Sequence, residues 1–310
     1  MMREFLPVAV LVAAYLGMTG CGSSSDGADA GIPSKQARTA SPTEEQVSHD
    51  KEIQRLEQAA REALKDRDYA KARRLIRGGL KLVDKAGSET DLHKAWFLLA
   101  LGNVEREEGR EAEARHQFTD AMAIFHVHKD ARGRCETFLA IGQLEARRGD
   151  YANAARQYAS AEALLAEVKD RRLPGELKLQ TGRLATRQVK HEEARDDFLE
   201  AVKIFEAAKD KRSAAETLLL LATEEDALGR GKACQNRLNK ALSVFRDIED
   251  LDGQARALHR LAALAERDKK YRKARQLLQK TLYLYEKLDR TTAATRVKQH
   301  INALPEKKKK

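Results

Sequence analysis

The 310-residue chain carries 58 Lys and Arg against 48 Asp and Glu, a net charge of +10, with 34% charged, 42% hydrophobic and 5% aromatic residues. It has five prolines, and Pro42, Pro174 and Pro305 leave two long proline-free runs between them, which excludes a turn-rich β protein and suits packed helices. Three cysteines exclude a disulfide scaffold, and length alone would allow two compact domains.

Residues 1–20 read as an address rather than as structure. Arg3 precedes the apolar stretch from Val8 to Leu16. About ten apolar residues are too few to span a bilayer as a helix and match the core of a signal peptide. The Gly17-Met18-Thr19-Gly20 run ahead of Cys21 resembles the lipobox of bacterial lipoproteins, in which small residues precede the cysteine that is lipidated after cleavage. That resemblance implies lipid attachment at Cys21. With Gly22 rather than Asp in the next position, the enterobacterial sorting rule implies the outer membrane, facing the periplasm. An uncleaved anchor, or a start at a later codon, is the competing reading. Residues 21–41 are small and polar, cannot bury a core, and read as a tether.

From about residue 90 the chain repeats on a forty-residue step. Gly102, Gly142 and Gly182 continue as Ala222 and Ala262; Ala114, Ala154, Ala194, Cys234 and Ala274 follow twelve residues after each. Large residues come next (Phe118, Tyr158, Phe198, Leu238, Leu278), then Ala121, Ala161, Ala201, Ala241 and Thr281. Apolar pairs such as Ile124-Phe125 and Val244-Phe245 close each unit, and Asp130, Asp170, Asp210 and Asp250 recur in the connections. An imperfect copy with Ala60, Tyr69, Ala72 and Ile76 precedes these. Each unit reads as two amphipathic helices, small residues marking close crossings and a large one filling the groove between them. Gly109, Gly149 and Gly229 suit the break within a pair, because glycine tolerates the left-handed conformation that ends a helix.

The small-x6-Gly and Ala-x3-aromatic-x2-Ala spacings resemble the tetratricopeptide repeat over about residues 43–290. The resemblance implies an all-α, right-handed solenoid of about six helix-turn-helix repeats over residues 42–304, with longer helices than the common 34-residue repeat. Ser41-Pro42-Thr43-Glu44 matches a capping box at its start. The stretch Thr292 to Leu304 predicts one more helix covering the last apolar face, for thirteen helices, with residues 305–310 as a basic, disordered tail.

No catalytic constellation, metal site or cofactor site emerges. Gly229-Arg230-Gly231-Lys232 hints at a phosphate loop, but Asp226 and Ala233 stand where that motif needs Gly and Ser or Thr. His126 and His128 are two apart, on different faces of a helix, whereas zinc on a helix needs a spacing of three or four. Cys135 and Cys234 lie two repeats apart, too far for a disulfide, and read as buried small hydrophobes.

The resemblance also implies a concave face lined by the first helix of each pair, which takes an extended peptide or a partner helix. The corresponding positions are Trp96, Leu99, Asn103, Arg106, Leu139, Gln143, Arg147, Arg183, Arg187, His259 and Arg267. Leu99 occupies the place where carboxylate-clamping relatives carry a basic residue, so that clamp is not expected. Trp96, the only tryptophan, either packs on the first repeat or is an exposed anchor for a partner. Arg147, Arg183 and Arg187 share one face and suit an acidic partner. Sparse aromatics and the absence of a nucleic-acid motif exclude nucleic acid. The leading reading is thus a non-catalytic, membrane-anchored scaffold or adaptor for a protein or peptide in cell-envelope assembly. The alternative is a cytoplasmic regulatory sensor of the same fold, favoured by the unpaired cysteines.

Overall fold

Two 17-residue helices and two three-residue turns fill one forty-residue step, so the residues beyond a 34-residue repeat lengthen helices and not loops. A 17-residue helix rises about 26 Å. The computed structural model describes residues 44–87 and 91–305. The signal-like segment, Cys21, the tether, most of the capping box and the lysine tail lie outside the described residues. Thirteen α-helices are present among the described residues: α1 (Glu44–Lys65), α2 (Tyr69–Ala86), α3 (Asp91–Glu107), α4 (Glu111–Val127), α5 (Ala131–Arg148), α6 (Tyr151–Leu164), α7 (Leu173–Arg187), α8 (His191–Ala207), α9 (Lys211–Ala227), α10 (Gly231–Asp247), α11 (Leu251–Arg267), α12 (Tyr271–Lys287) and α13 (Thr291–Ala303). Each helix packs on the next, and first helices of successive repeats also touch one another, which makes a solenoid. None of the described helices is long and apolar enough to cross a membrane.

The small-then-large pattern is the packing rule of each pair. A Cβ placed on Gly102, Gly142 or Gly182 would enter the ring of Phe118, Tyr158 or Phe198. Where the large residue is Leu238 or Leu278, alanine is tolerated, and Ala222 and Ala262 are fully buried. A second set of close approaches, invisible in the forty-residue pattern, joins one repeat to the next: Gly133 faces the Phe125 ring and Gly253 the Phe245 ring.

The turns follow from capping chemistry. Asp68, Asp130, Asp150, Asp210 and Asp250 each accept the backbone N–H three residues on, satisfying a donor the helix leaves orphaned. Asp170 departs from this series. There α6 stops early, a 3-10 turn (Leu165–Glu167) follows, and α7 begins after Arg172 with Pro174 in its first turn. Asp170 instead accepts the Arg172 N–H at 2.7 Å. Gly109, Gly149 and Gly229 hold left-handed φ of 81°, 84° and 73° as expected, while Val189 takes the same place with φ 61°. At the far end α13 begins at Thr291, and Leu304, buried in the core, turns to extended backbone before Pro305.

A ladder of ion pairs runs along the connections. Arg132, Arg172 and Arg212 reach forward to Asp170, Asp210 and Asp250 at 3.1, 2.6 and 3.3 Å. A second series buries a carboxylate: Glu105, Glu145 and Glu225 sit between an arginine of the preceding second helix (Arg73, Arg115, Arg195) and one near their own turn (Arg110, Arg148, Arg230). Burial raises the Glu105 pKa, with Arg73 opposing it.

Candidate binding groove

The face built by α3, α5 and α7 positions most of the predicted site. Residues one repeat apart stand side by side on adjacent first helices, so a sequence register becomes a row in space. Leu99 and Leu139 are buried and form a floor, with half-buried Asn103 and Gln143 beside them around a depression of about 250 Å³. Glu136, Glu176 and Asp170 also line it together with Arg132 and Arg172, and Arg132 pairs with both Glu136 at 2.9 Å and Asp170 at 3.1 Å. Those glutamates were missed in the sequence, although Glu136, Glu176 and Glu216 recur on the forty-residue step and so carried a signal.

The predicted arginines gather at the other end of the same helices. Arg106 is only 8% exposed. Its Nη2 lies 3.1 Å from Glu107, and burial lowers its pKa, with Glu107 opposing. Arg147, one repeat on, donates to the Arg106 carbonyl at 2.8 Å and approaches Glu107 at 3.8 Å. Arg183 and Arg187, one turn apart on the exposed side of α7, form no ion pair with any described residue. Burial pushes the Tyr158 phenol up to about 12 while Arg187, Arg106 and Arg183 pull it the other way, which places guanidinium groups of α3 and α7 around this one side chain.

Three predicted residues are occupied elsewhere. Trp96 is half-buried and packs with the first repeat, edge-on to Phe97 at 5.3 Å and beneath the Arg61 guanidinium at 4.0 Å. His259 lies 6.0 Å from the His300 ring of the capping helix, and burial, His300 and Arg260 lower its pKa. Arg267 is paired with Asp226 at the rim of an apolar cavity of about 430 Å³, also lined by Cys234, Leu238 and Arg260.

Cys135 and Cys234 are buried and free, and burial pushes both thiols up to about 11, so they remain protonated at neutral pH. His128 lies 3.5 Å from Asp91, and among the described residues no group of three His, Cys, Asp or Glu could hold a metal ion. The Gly229–Lys232 stretch is the end of the turn between α9 and α10 and the first two residues of α10.

No family model matches the sequence, and no curated protein matches it. Solved structures do. Over 84% of its length the chain is similar to a signal transduction ATPase with a tetratricopeptide repeat sensor from Pyrococcus horikoshii, at 14% identity and a TM-score of 0.68. The chain has a tetratricopeptide-repeat fold. It spans less than half of that ATPase, 43% of its length. It is also similar to a Rap protein complexed with competence and sporulation factor (15% identity, TM-score 0.61, 81% of this chain and 74% of that one). A third is PilW, a type IV pilus biogenesis factor, at 17% identity and TM-score 0.55, covering 79% of this chain and 97% of that one. At such identities the likeness is one of fold. The tetratricopeptide solenoid, with its consecutive first helices forming one face, is the frame that sets the groove residues side by side.

Proposed function

We propose that the protein is a membrane-anchored tetratricopeptide scaffold that binds a protein or peptide partner in the groove of its first helices, in cell-envelope assembly. The observation that carries the reading is the continuous face on α3, α5 and α7, with an apolar floor at Leu99 and Leu139, amides at Asn103 and Gln143, and charged side chains at both ends. Binding would be its whole mechanism. A preformed groove lowers the ordering cost of docking, and a lipidated Cys21 with a tether would confine the search to one surface and raise effective concentration. The lipobox-like run before Cys21 supports the anchor, and Gly22 supports the outer membrane. The similar Rap protein was solved with a bound factor, which supports a peptide or protein as the ligand class.

Membrane fractionation of the wild type beside Cys21→Ser tests the anchor: the wild type is expected with membranes and the variant in the soluble fraction. Identical partition of the two overturns lipid attachment. One observation favours the second reading, a cytoplasmic regulatory sensor, namely that Cys135 and Cys234 are both unpaired. A reporter fused after Cys21 that is active only on export separates the two, since activity excludes the cytoplasmic sensor and inactivity excludes the anchored scaffold.

A further inference from the structure

Along most of the solenoid each second helix has its cations matched by acids of the next repeat. Arg115 and Arg195 meet the buried Glu145 and Glu225, each thirty residues further on. Arg275 holds the same repeat position on α12, but there the residue thirty further on is Pro305. Its guanidinium donates to the Leu304 carbonyl at 3.0 Å instead. The capping segment supplies no acid at all: residues 290–305 contain Arg290, Arg296 and Lys298 and neither Asp nor Glu. Of those three cations, Arg290 alone is paired with a described acid, Asp252.

The start of α12 is equally one-sided. From Lys269 to Lys280 the chain has six cations and no acid, and among the described residues only Lys270 finds a carboxylate, Asp268 at 2.7 Å. Helices α4 and α8 open on Glu111 and Glu113 and on Glu192 and Glu193, whereas α12 opens on Arg272 and Lys273 and has no side-chain cap. Cations at the positive end of a helix oppose its folding, so intramolecular stability does not account for them. Lys269, Lys270, Arg272 and Lys273 line, with Pro305, an open depression of about 780 Å³. The chain leaves the described structure at that point, and its sequence continues into Lys307–Lys310.

One apolar group shares this face. Arg272, Gln276, Gln279 and Tyr283 are all exposed and follow one another at spacings of four, three and four, which sets them on one side of α12. Tyr283 is 63% exposed.

We propose that the outer face of α12, with the chain end beside it, docks on an anionic phospholipid surface. Its cations meet headgroup phosphates, and the Tyr283 ring sits at headgroup level with its hydroxyl towards water. A lipid surface is favoured over an acidic protein for two reasons. Unpaired cations spread over an open face match a continuous sheet of negative charge without needing a fixed register. An exposed tyrosine among them is the amphipathic side chain that membrane interfaces collect. The inference depends neither on the groove nor on lipidation of Cys21, and its failure would leave both readings standing.

The test is co-sedimentation of the full-length Cys21→Ser protein, which has no lipid of its own, with vesicles of phosphatidylcholine alone or mixed with phosphatidylglycerol. The quantity read is the gain in binding due to phosphatidylglycerol, because the apolar Val8 to Leu16 stretch adds equally to both. A clear, salt-sensitive gain is expected, weakened about tenfold or more by the triple variant Lys269→Gln, Arg272→Gln and Lys273→Gln. That variant is expected to unfold no earlier than the wild type, which separates lost docking from lost folding. Tyr283→Ser is expected to weaken binding at high salt as well as low. A control triple variant, Lys203→Gln, Lys209→Gln and Lys211→Gln, removes the same charge from exposed positions on α8, its turn and α9 and is expected to change little. The proposal is overturned if phosphatidylglycerol adds no binding, if the α12 triple variant binds as the wild type does, or if the control variant loses as much. Binding of hexaglutamate that the α12 variant abolishes, with no gain on phosphatidylglycerol vesicles, would assign the face to an acidic protein and overturn the membrane.

Discussion

At Gly142 the Tyr158 ring occupies the place a side chain would take, so an added methyl must push a fully packed aromatic aside. Gly142→Ala is expected to cost about 1–3 kcal/mol in chemical denaturation, despite alanine being the better helix former. The same change made on top of Tyr158→Leu is expected to be close to neutral, because the chain already carries that pair as Ala222 and Leu238. A double-mutant cycle reads the coupling, and equal costs in both backgrounds would sink this account of the repeat. Val189 is the converse case. It is 71% exposed, so it contributes little packing, yet it holds a β-branched side chain at φ 61° where three other repeats use glycine. Val189→Gly is expected to raise stability by about 1 kcal/mol, read as a higher denaturation midpoint.

Helix starts decide how well each element stands alone. Asp210 accepts the Ser213 N–H at 3.1 Å and its hydroxyl at 2.8 Å, and it pairs with Arg172 from the preceding repeat. Burial works to raise its pKa, but the Ser213 N–H and hydroxyl and the Arg172 guanidinium together hold it below the ordinary 3.8. Asp210→Ala is therefore expected to cost about 1 kcal/mol at neutral pH, mostly from the lost cap, since Arg172 is largely exposed and its pair is screened. The sign of the pH effect follows from the lowered pKa. The ionised carboxyl stabilises the fold fully above about pH 4 and progressively less as acidity carries it through its folded-state pKa. Wild type and variant should converge in stability below that pH, and a gap that persists undiminished into stronger acid would exclude the ionised cap as its cause.

Across the whole array, burial is divided rather than pooled. Among the described residues four apolar clusters replace a single core, the largest running from Leu179 to Leu304 and smaller ones lying around α1–α3, α3–α5 and α5–α7. Helix α7 is shared between two of them: Leu173, Leu177 and Leu184 pack towards α5 and α6, while Leu179 and Ala185 join the C-terminal cluster. Repeat arrays gain stability from neighbours, so amides of α9–α12 are expected to exchange with deuterium last and those of α1 first. Uniform protection from α1 to α13 would mean that the array unfolds as a single unit.

The forty-residue period, the Gly109, Gly149 and Gly229 breaks and the small-to-large pairs were legible because each is local: helix periodicity, backbone permissiveness and the space at a crossing act between residues near in sequence. Two of the elements that differ were hidden for a physical reason. Asp170 looks like its repeat partners, but the early end of α6 moves it out of the cap, and no composition signal marks that end. Trp96 and His259 occupy groove positions by register, yet Arg61 on α1 and His300 on α13 claim them, because the terminal helices have no repeat partner of their own to cover. The arginines show the division most clearly. By sequence Arg132, Arg172, Arg183 and Arg187 are alike, and their repeat positions show which face they occupy. Only the tertiary structure decides that the first two reach an aspartate 38 residues further on while the last two reach none, since a long side chain finds its partner across helices and not along the chain.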